Sequence, residues 1–127
     1  MLAWVCNRKD AGIIMKIVSQ LKRVMVFIDE TDRWQGKNLG AAIAERLKKE
    51  GCAGVTIVRG SLGFGSHGEI HTTSILDLSS DLPMIVIVID EPERIEQYLP
   101  IFDLMITEGL VLIDDVEATK YSRAKSH

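Results

Sequence analysis

The apolar positions of this chain fall into runs of two kinds. Arg23–Ile28 (RVMVFI) and Met84–Ile89 (MIVIVI) are almost wholly apolar and rich in β-branched residues, the pattern of strands buried on both faces. Val55–Val58 (VTIV) and Leu110–Val116 (LVLIDDV) are more mixed, the second broken by two aspartates, and read as strands with one exposed side. After the first strand, DETDRWQGKN reads as a polar connection. Leu39, Ile43 and Leu47 then recur at helical spacing, with Ala42 and Ala44 alongside and Glu45, Arg46, Lys48 and Lys49 turned outward. This predicts a helix over Leu39–Glu50, N-capped by Asn38 and closed by Gly51 at C′. After the third strand, Ile95, Leu99, Phe102 and Ile106 predict a second helix. Asp90 is its expected cap, Pro92 fits its first turn and Gly109 ends it. Pro100 inside this helix removes the bond to the Glu96 carbonyl and predicts a kink. Residues 1–21 show no clean period and are expected to form a poorly ordered N-terminal extension. The domain is then 22–118, with 119–127 as a C-terminal tail.

The order β-α-β, connection, β-α-β predicts an α+β, ferredoxin-like βαββαβ sandwich: a four-stranded antiparallel sheet with two helices on one face. The first and third strands are central in that arrangement, and they are the two most apolar runs. Two helices cover one face only. Central strands apolar on both sides leave the other face greasy, which a monomer rarely exposes. A homo-oligomer packed through its sheet faces is the expected consequence.

At 127 residues, 46% of them hydrophobic, the chain is expected to be one domain with a real core. Its net charge of -3, with no Lys/Arg stripe interleaved with aromatics, argues against nucleic acid as a partner. The longest apolar run, Met84–Ile89, is too short to span a bilayer, and MLAWVCNRKD is not a signal peptide. The two cysteines, Cys6 and Cys52, have no metal-ligand spacing. A cytoplasmic location is expected.

The connection from Arg59 to Pro83, RGSLGFGSHGEIHTTSILDLSSDLP, is far longer than the roughly 4–6 residues that usually join elements. Its GFGSHG matches the dinucleotide fingerprint G-x-G-x-x-G, with Asp90 in place of the ribose-binding acid. That motif needs a helix opening at its third glycine. EIHTTSILDLSSDLP, with three consecutive hydroxyl residues and Pro83 close behind, does not supply one. Gly36-Lys37 fails as a phosphate loop, because Thr31 and Asn38 stand where Gly and Ser or Thr are required. His67 and His71 would share a helix face and suggest a metal site, although no cysteine or carboxylate cluster accompanies them. No nucleophile stands beside a base by spacing, and Asp29, Glu30 and Asp32 read as a solvated turn. Arg59 closes an edge strand, where it suits a phosphate, a carboxylate or an intersubunit ion pair. Phe64, between two glycines, suits a base to stack on or a slot to anchor in.

Several of these pieces together are similar to one family. DETDRW-x-GK-x-L follows the first strand, AG-x-T-x-x-RG-x-x-GFG spans the second, and IHT and L-S-x-DLP precede the third. EGLV follows the second helix. The chain so resembles, over residues 22–118, the PII-like family of small prokaryotic proteins of unknown function, related to the nitrogen-regulatory PII proteins. The resemblance implies a ferredoxin-like subunit, a trimer with sheets facing inward, and a regulatory loop at residues 61–82. It also implies a non-enzymatic sensor of a small anion, AMP, ADP or ATP, bound between subunits. Such a sensor acts on a partner such as a membrane transporter. The groups available to such a ligand are Lys37, Arg59 and Lys120, with Gly63, Phe64, Gly65 and His71 of the connection. The basic phosphate loop of PII proteins is replaced here by Thr107-Glu108-Gly109-Leu110, and no tyrosine lies between Ser61 and Leu82. A metal-binding protein using the loop histidines, or a small enzyme with an intersubunit site, are the alternatives.

Overall fold

The computed structural model describes residues 3–9, 12–61 and 82–123, with side chains from Ile14 onward. The elements are β1 (Ala3–Lys9), β2 (Gly12–Asp29), β3 (Arg33–Trp34), β4 (Lys37–Asn38), α1 (Leu39–Lys49), β5 (Gly54–Arg59), β6 (Pro83–Asp90), α2 (Pro92–Met105) and β7 (Leu110–Arg123). The chain forms two compact units, Lys22–Asp114 and Met1–Leu21 with Asp115–His127.

In the larger unit the strand order is β7-β2-β6-β5. Lys22 lies opposite Asp90 and Asp29 opposite Pro83; Gly54 lies opposite Ile89 and Arg59 opposite Met84. The two most apolar strands are central, as their composition requires, and the architecture is the expected ferredoxin-like α+β sandwich. Alternation decides the packing. Val24, Val26 and Ile28 of β2 and Met84, Val86 and Val88 of β6 point to the helices and are buried. They meet Leu39, Ala42, Ile43 and Leu47 of α1 and Ile95, Tyr98, Ile101, Phe102 and Met105 of α2 in one core. Helix α1 starts where Asn38 Oδ1 accepts from the Ala41 N–H at 3.0 Å. It ends in a Schellman motif, with the Gly51 N–H bonded to Lys48 O and the Cys52 N–H to Leu47 O. Gly51 there has φ +81°. Helix α2 runs unbroken through Pro100.

Two expectations change. The connection after β2 is a hairpin: β3 and β4 pair Arg33 with Asn38 and Trp34 with Lys37. Its Gln35-Gly36 turn has positive φ at both positions, 49° and 82°, the turn that suits the twist of a two-residue hairpin. Asp90 is not the cap of α2. Glu91 takes the N-cap position without a side-chain bond, because the Asp90 carboxylate is turned inward to other donors. Strands also precede Arg23. Here Ala3–Lys9 and Gly12–Val18 pair antiparallel, Ala3 opposite Val18 and Lys9 opposite Gly12. Ladder bonds, rather than side-chain alternation, define these strands. In the same smaller unit the Lys16 amine sits 5.9 Å from the centre of the Tyr121 ring.

Candidate functional site

One end of the larger unit's sheet gathers the features that suit a ligand. The backbone there is fixed by the ends of β2, β5 and β6. The Gly60 N–H donates to Pro83 O at 2.7 Å, and the Glu30 N–H donates to Leu82 O at 2.9 Å. Both ends of the connection across residues 61–82 are therefore pinned to the strands that carry them. Arg59, the last residue of β5, pairs with Glu30 Oε1 at 2.6 Å, its side chain about half exposed and that of Glu30 less so. The second Glu30 oxygen is buried and has no hydrogen-bond partner among the described residues. The Glu30 carbonyl accepts from the Asn38 amide at 2.9 Å, which ties the β3-β4 hairpin to the same end. Gly109 arrives beside it. A Cβ on Gly109 would lie 2.8 Å from the Phe27 carbonyl oxygen, and its φ is +151°, so only glycine lets the chain pass so close to β2. The arrangement is an arginine at a strand end, paired with a carboxylate, at the root of the long connection. Chemically it is suited to exchanging an internal anion for an external one.

The opposite end of β6 carries a denser network, with a structural role. Asp90, 3% exposed, accepts from the Glu91 N–H at 2.8 Å, the Ala53 N–H at 3.1 Å, Arg94 Nε at 3.2 Å and the Tyr98 hydroxyl at 2.9 Å. Arg94 also donates to the carbonyls of Glu50 and Gly51 at the end of α1. Burial alone would raise the Asp90 pKa. The two backbone N–H groups, the Tyr98 hydroxyl and the Arg94 charge overcome it and hold the carboxyl below its ordinary value. Burial pushes the Tyr98 phenol up. Burial also raises the Cys52 thiol, whose Sγ donates to Gly54 O at 3.7 Å. A thiol so held stays protonated and is a poor nucleophile.

The residues singled out from sequence separate into different neighbourhoods. Arg59 stands at the strand end and meets Glu30 within its own chain. Lys37 pairs with Glu45 at 3.6 Å and lines a groove of about 150 Å³ between the β3-β4 hairpin and α1, closed on one side by Ala42 and Met105. Gly63, Phe64, Gly65, His67 and His71 lie outside the described residues. Among the described residues no group of three or more His, Cys, Asp or Glu side chains could hold a metal, and no helix is long and apolar enough to cross a membrane. Sequence reading missed Glu30 as the partner of Arg59. It also missed the Asp90, Arg94, Tyr98 series, although its spacing of four on a helix was a usable signal.

Among the described residues of the larger unit, no helix covers the second face of the sheet. Met25 and Phe27 of β2 alternate with the core residues and lie on it, opposite Ile87 and Ile85 of β6. Thr56 and Val58 continue the rows on β5. On β7, Arg23 holds Asp114 with two bonds, at 2.7 and 3.1 Å, which sets Asp114, Leu112 and Leu110 on the same face. Leu110 is 57% exposed, Leu112 46% and Val58 42%.

Comparison with known proteins gives a consistent picture. The model of the DUF190 family, described as an uncharacterized ACR, matches residues 21–118. A UPF0166 protein of Aquifex aeolicus (strain VF5) is 33% identical over 103 residues, 81% of this chain and 96% of the relative. Two solved structures of CPII, a nitrogen regulatory PII-like protein from Thiomonas intermedia K12, share the fold. One, bound to ADP and bicarbonate, is 22% identical with a TM-score of 0.52, over 80% of this chain and 90% of that one. The other, bound to ADP, AMP and bicarbonate, is 21% identical with a TM-score of 0.52 over the same shares.

Proposed function

The chain belongs to the DUF190 family of uncharacterised proteins, and from that premise we propose that it is a PII-like regulatory protein rather than an enzyme. It senses a small anion, an adenine nucleotide, at the root of the 61–82 connection. The observation that carries this reading is the ion pair between Arg59 and Glu30, set where both ends of that connection are pinned. A ligand phosphate that recruits Arg59 withdraws it from Glu30 and so alters the root from which the connection springs. The ADP held by the CPII structures supports the choice of nucleotide. The glycines and Phe64 of the GFG segment, and His71, are the further contacts in this proposal, while Lys37, paired with Glu45, lies apart. The helix-free sheet face supports a homo-oligomer, a trimer on the family pattern, with the nucleotide between subunits. The regulated partner is a protein such as a membrane transporter, and the working compartment is the cytoplasm. Calorimetric titration with ADP tests the reading. Saturable heat is expected from the wild type, and Arg59→Ala weakens binding about tenfold to a hundredfold, the worth of one charge-assisted hydrogen bond. Absence of heat with ADP, AMP and ATP, or an Arg59→Ala variant that binds as the wild type does, would overturn it.

A further inference from the structure

The groove between the β3-β4 hairpin and α1 is not needed by the proposal above, yet it is built from residues that make a binding site. Trp34 supplies a flat, half-buried wall that packs against the core. Lys37, Arg46 and Lys49 stand around it, with Glu45 as the one carboxylate in the lining. Arg46 and Lys49 are three apart on α1, hence neighbours on one face, and Lys37 approaches from the hairpin. Lys37 reaches Glu45 at 3.6 Å and Arg46 reaches Glu50 at 3.1 Å. Among the described residues Lys49 makes no ion pair. Three cations against the two carboxylates that pair with them, Glu45 and Glu50, leave the groove with one positive charge to spare, on a chain whose formal net charge is -3. At the lip stands Gln35, with φ 49°, a left-handed conformation that costs free energy in a residue other than glycine.

Basic residues in the last turn of a helix also complement its dipole, and that accounts for Arg46 and Lys49 taken alone. It does not account for Lys37, which comes from the hairpin, or for the tryptophan wall between them. This positive excess suits a phosphate monoester, whose second ionisation near pH ~6 makes it anionic at neutral pH and able to compete with Glu45 and Glu50 for the cations they hold. The fork of Arg46 suits two phosphate oxygens. The size of the groove restricts the rest of the ligand, since a cavity of about 150 Å³ holds one benzene-sized ring.

The geometry points to a second ligand site, in which a phosphate monoester carrying a single planar ring lays the ring against Trp34 and sets its phosphate among Lys37, Arg46 and Lys49. This site is separate from the one at Arg59, and the experiment keeps the two apart. Trp34 is one of two tryptophans, so a Trp4→Phe background makes its fluorescence a local probe. Phenyl phosphate is titrated into that protein, with inorganic phosphate and phenol as controls. Phenyl phosphate should give a saturable change in Trp34 emission at least tenfold tighter than either control. Lys49→Glu, which breaks no ion pair among the described residues, should weaken it at least tenfold, and Arg59→Ala should leave it unchanged. No saturable change up to roughly 10 mM, equal responses to phenol and phenyl phosphate, or an unaltered response in Lys49→Glu would each overturn the proposal. Circular dichroism of Lys49→Glu separates a lost site from a lost fold. If that variant is unfolded, Lys49→Gln takes its place, with a loss of at least threefold expected and an unaltered response again overturning the site.

Discussion

Replacing Glu30 by glutamine makes the ligand bind more tightly if Arg59 works as an anion donor that is occupied in the free protein. The ion pair is a contact of 2.6 Å between side chains 52% and 25% exposed. Pairs of that exposure contribute about 0.2–1 kcal/mol. The partly buried glutamate puts this one at the upper end, about 1 kcal/mol. Any nucleotide phosphate that recruits Arg59 must first break the pair, so its affinity is lowered by that amount, about fivefold. Glutamine keeps the shape and can still accept one neutral hydrogen bond, so the expected gain is about two- to fivefold in Kd for ADP. The cost to the fold is small. One Glu30 oxygen is already buried without a partner among the described residues, and the substitution exchanges one such polar atom for another. Calorimetry at constant salt reads the effect, and the cycle with Arg59→Ala completes it, because the gain vanishes when the arginine is absent. A Glu30→Gln variant that binds ADP as the wild type does, or more weakly, would refute the competition between internal and external anion. A purely structural pair predicts the weaker binding, so the sign of the effect decides between the two accounts.

Two other substitutions test the framework. Asp90→Ala removes a buried carboxylate that four donors face and leaves the Tyr98 hydroxyl, 1% exposed, without its acceptor. A loss of about 3–5 kcal/mol is expected, measured by urea unfolding at fixed protein concentration, and a loss under about 1 kcal/mol would contradict the network's role. The Asp90 pKa is lowered in the fold, so its stabilisation is present above the unfolded value of about 4 and is lost as pH falls through the lower native value. The gap in stability between wild type and Asp90→Asn should accordingly narrow in acid below that range; a constant gap argues against this assignment. Ile87 lies opposite both Met25 and Thr56, at the centre of the helix-free face. Ile87→Lys should reduce the mass seen by light scattering from an oligomer to one protomer, and a wild type already of one protomer's mass would remove the sheet-face interface.

The strands and helices of the larger unit were legible because their signals are one-dimensional. Alternation, helical spacing, Asn38 and Gly51 are each readable within a few residues. The hairpin after β2 escaped because its strands have two residues each, and Gln-Gly is a weak form of the usual Asn-Gly turn. Asp90 was assigned to a local task that its position permits. Its actual donors include Ala53, far away in sequence, and long-range partners leave no mark on local pattern. The same holds for Arg59, for which a ligand or a neighbouring subunit was expected and Glu30 of its own chain was found. Lys37 was grouped with Arg59 by charge alone, whereas the fold gives each its own carboxylate. Arg23 and Asp114 show the converse: the aspartates that break the last apolar run are explained once β7 lies beside β2.

The two backbone bonds at the root of the long connection, Gly60 to Pro83 and Glu30 to Leu82, have a consequence for its length. They fix where the intervening chain leaves the sheet and where it returns, and they require nothing of its length. Closing a connection twice as long costs only about 0.6 kcal/mol more. Loop-closure entropy by itself therefore sets little limit on the number of residues between Ser61 and Leu82. A change of length there leaves in place both bonds and the ends of the strands that make them.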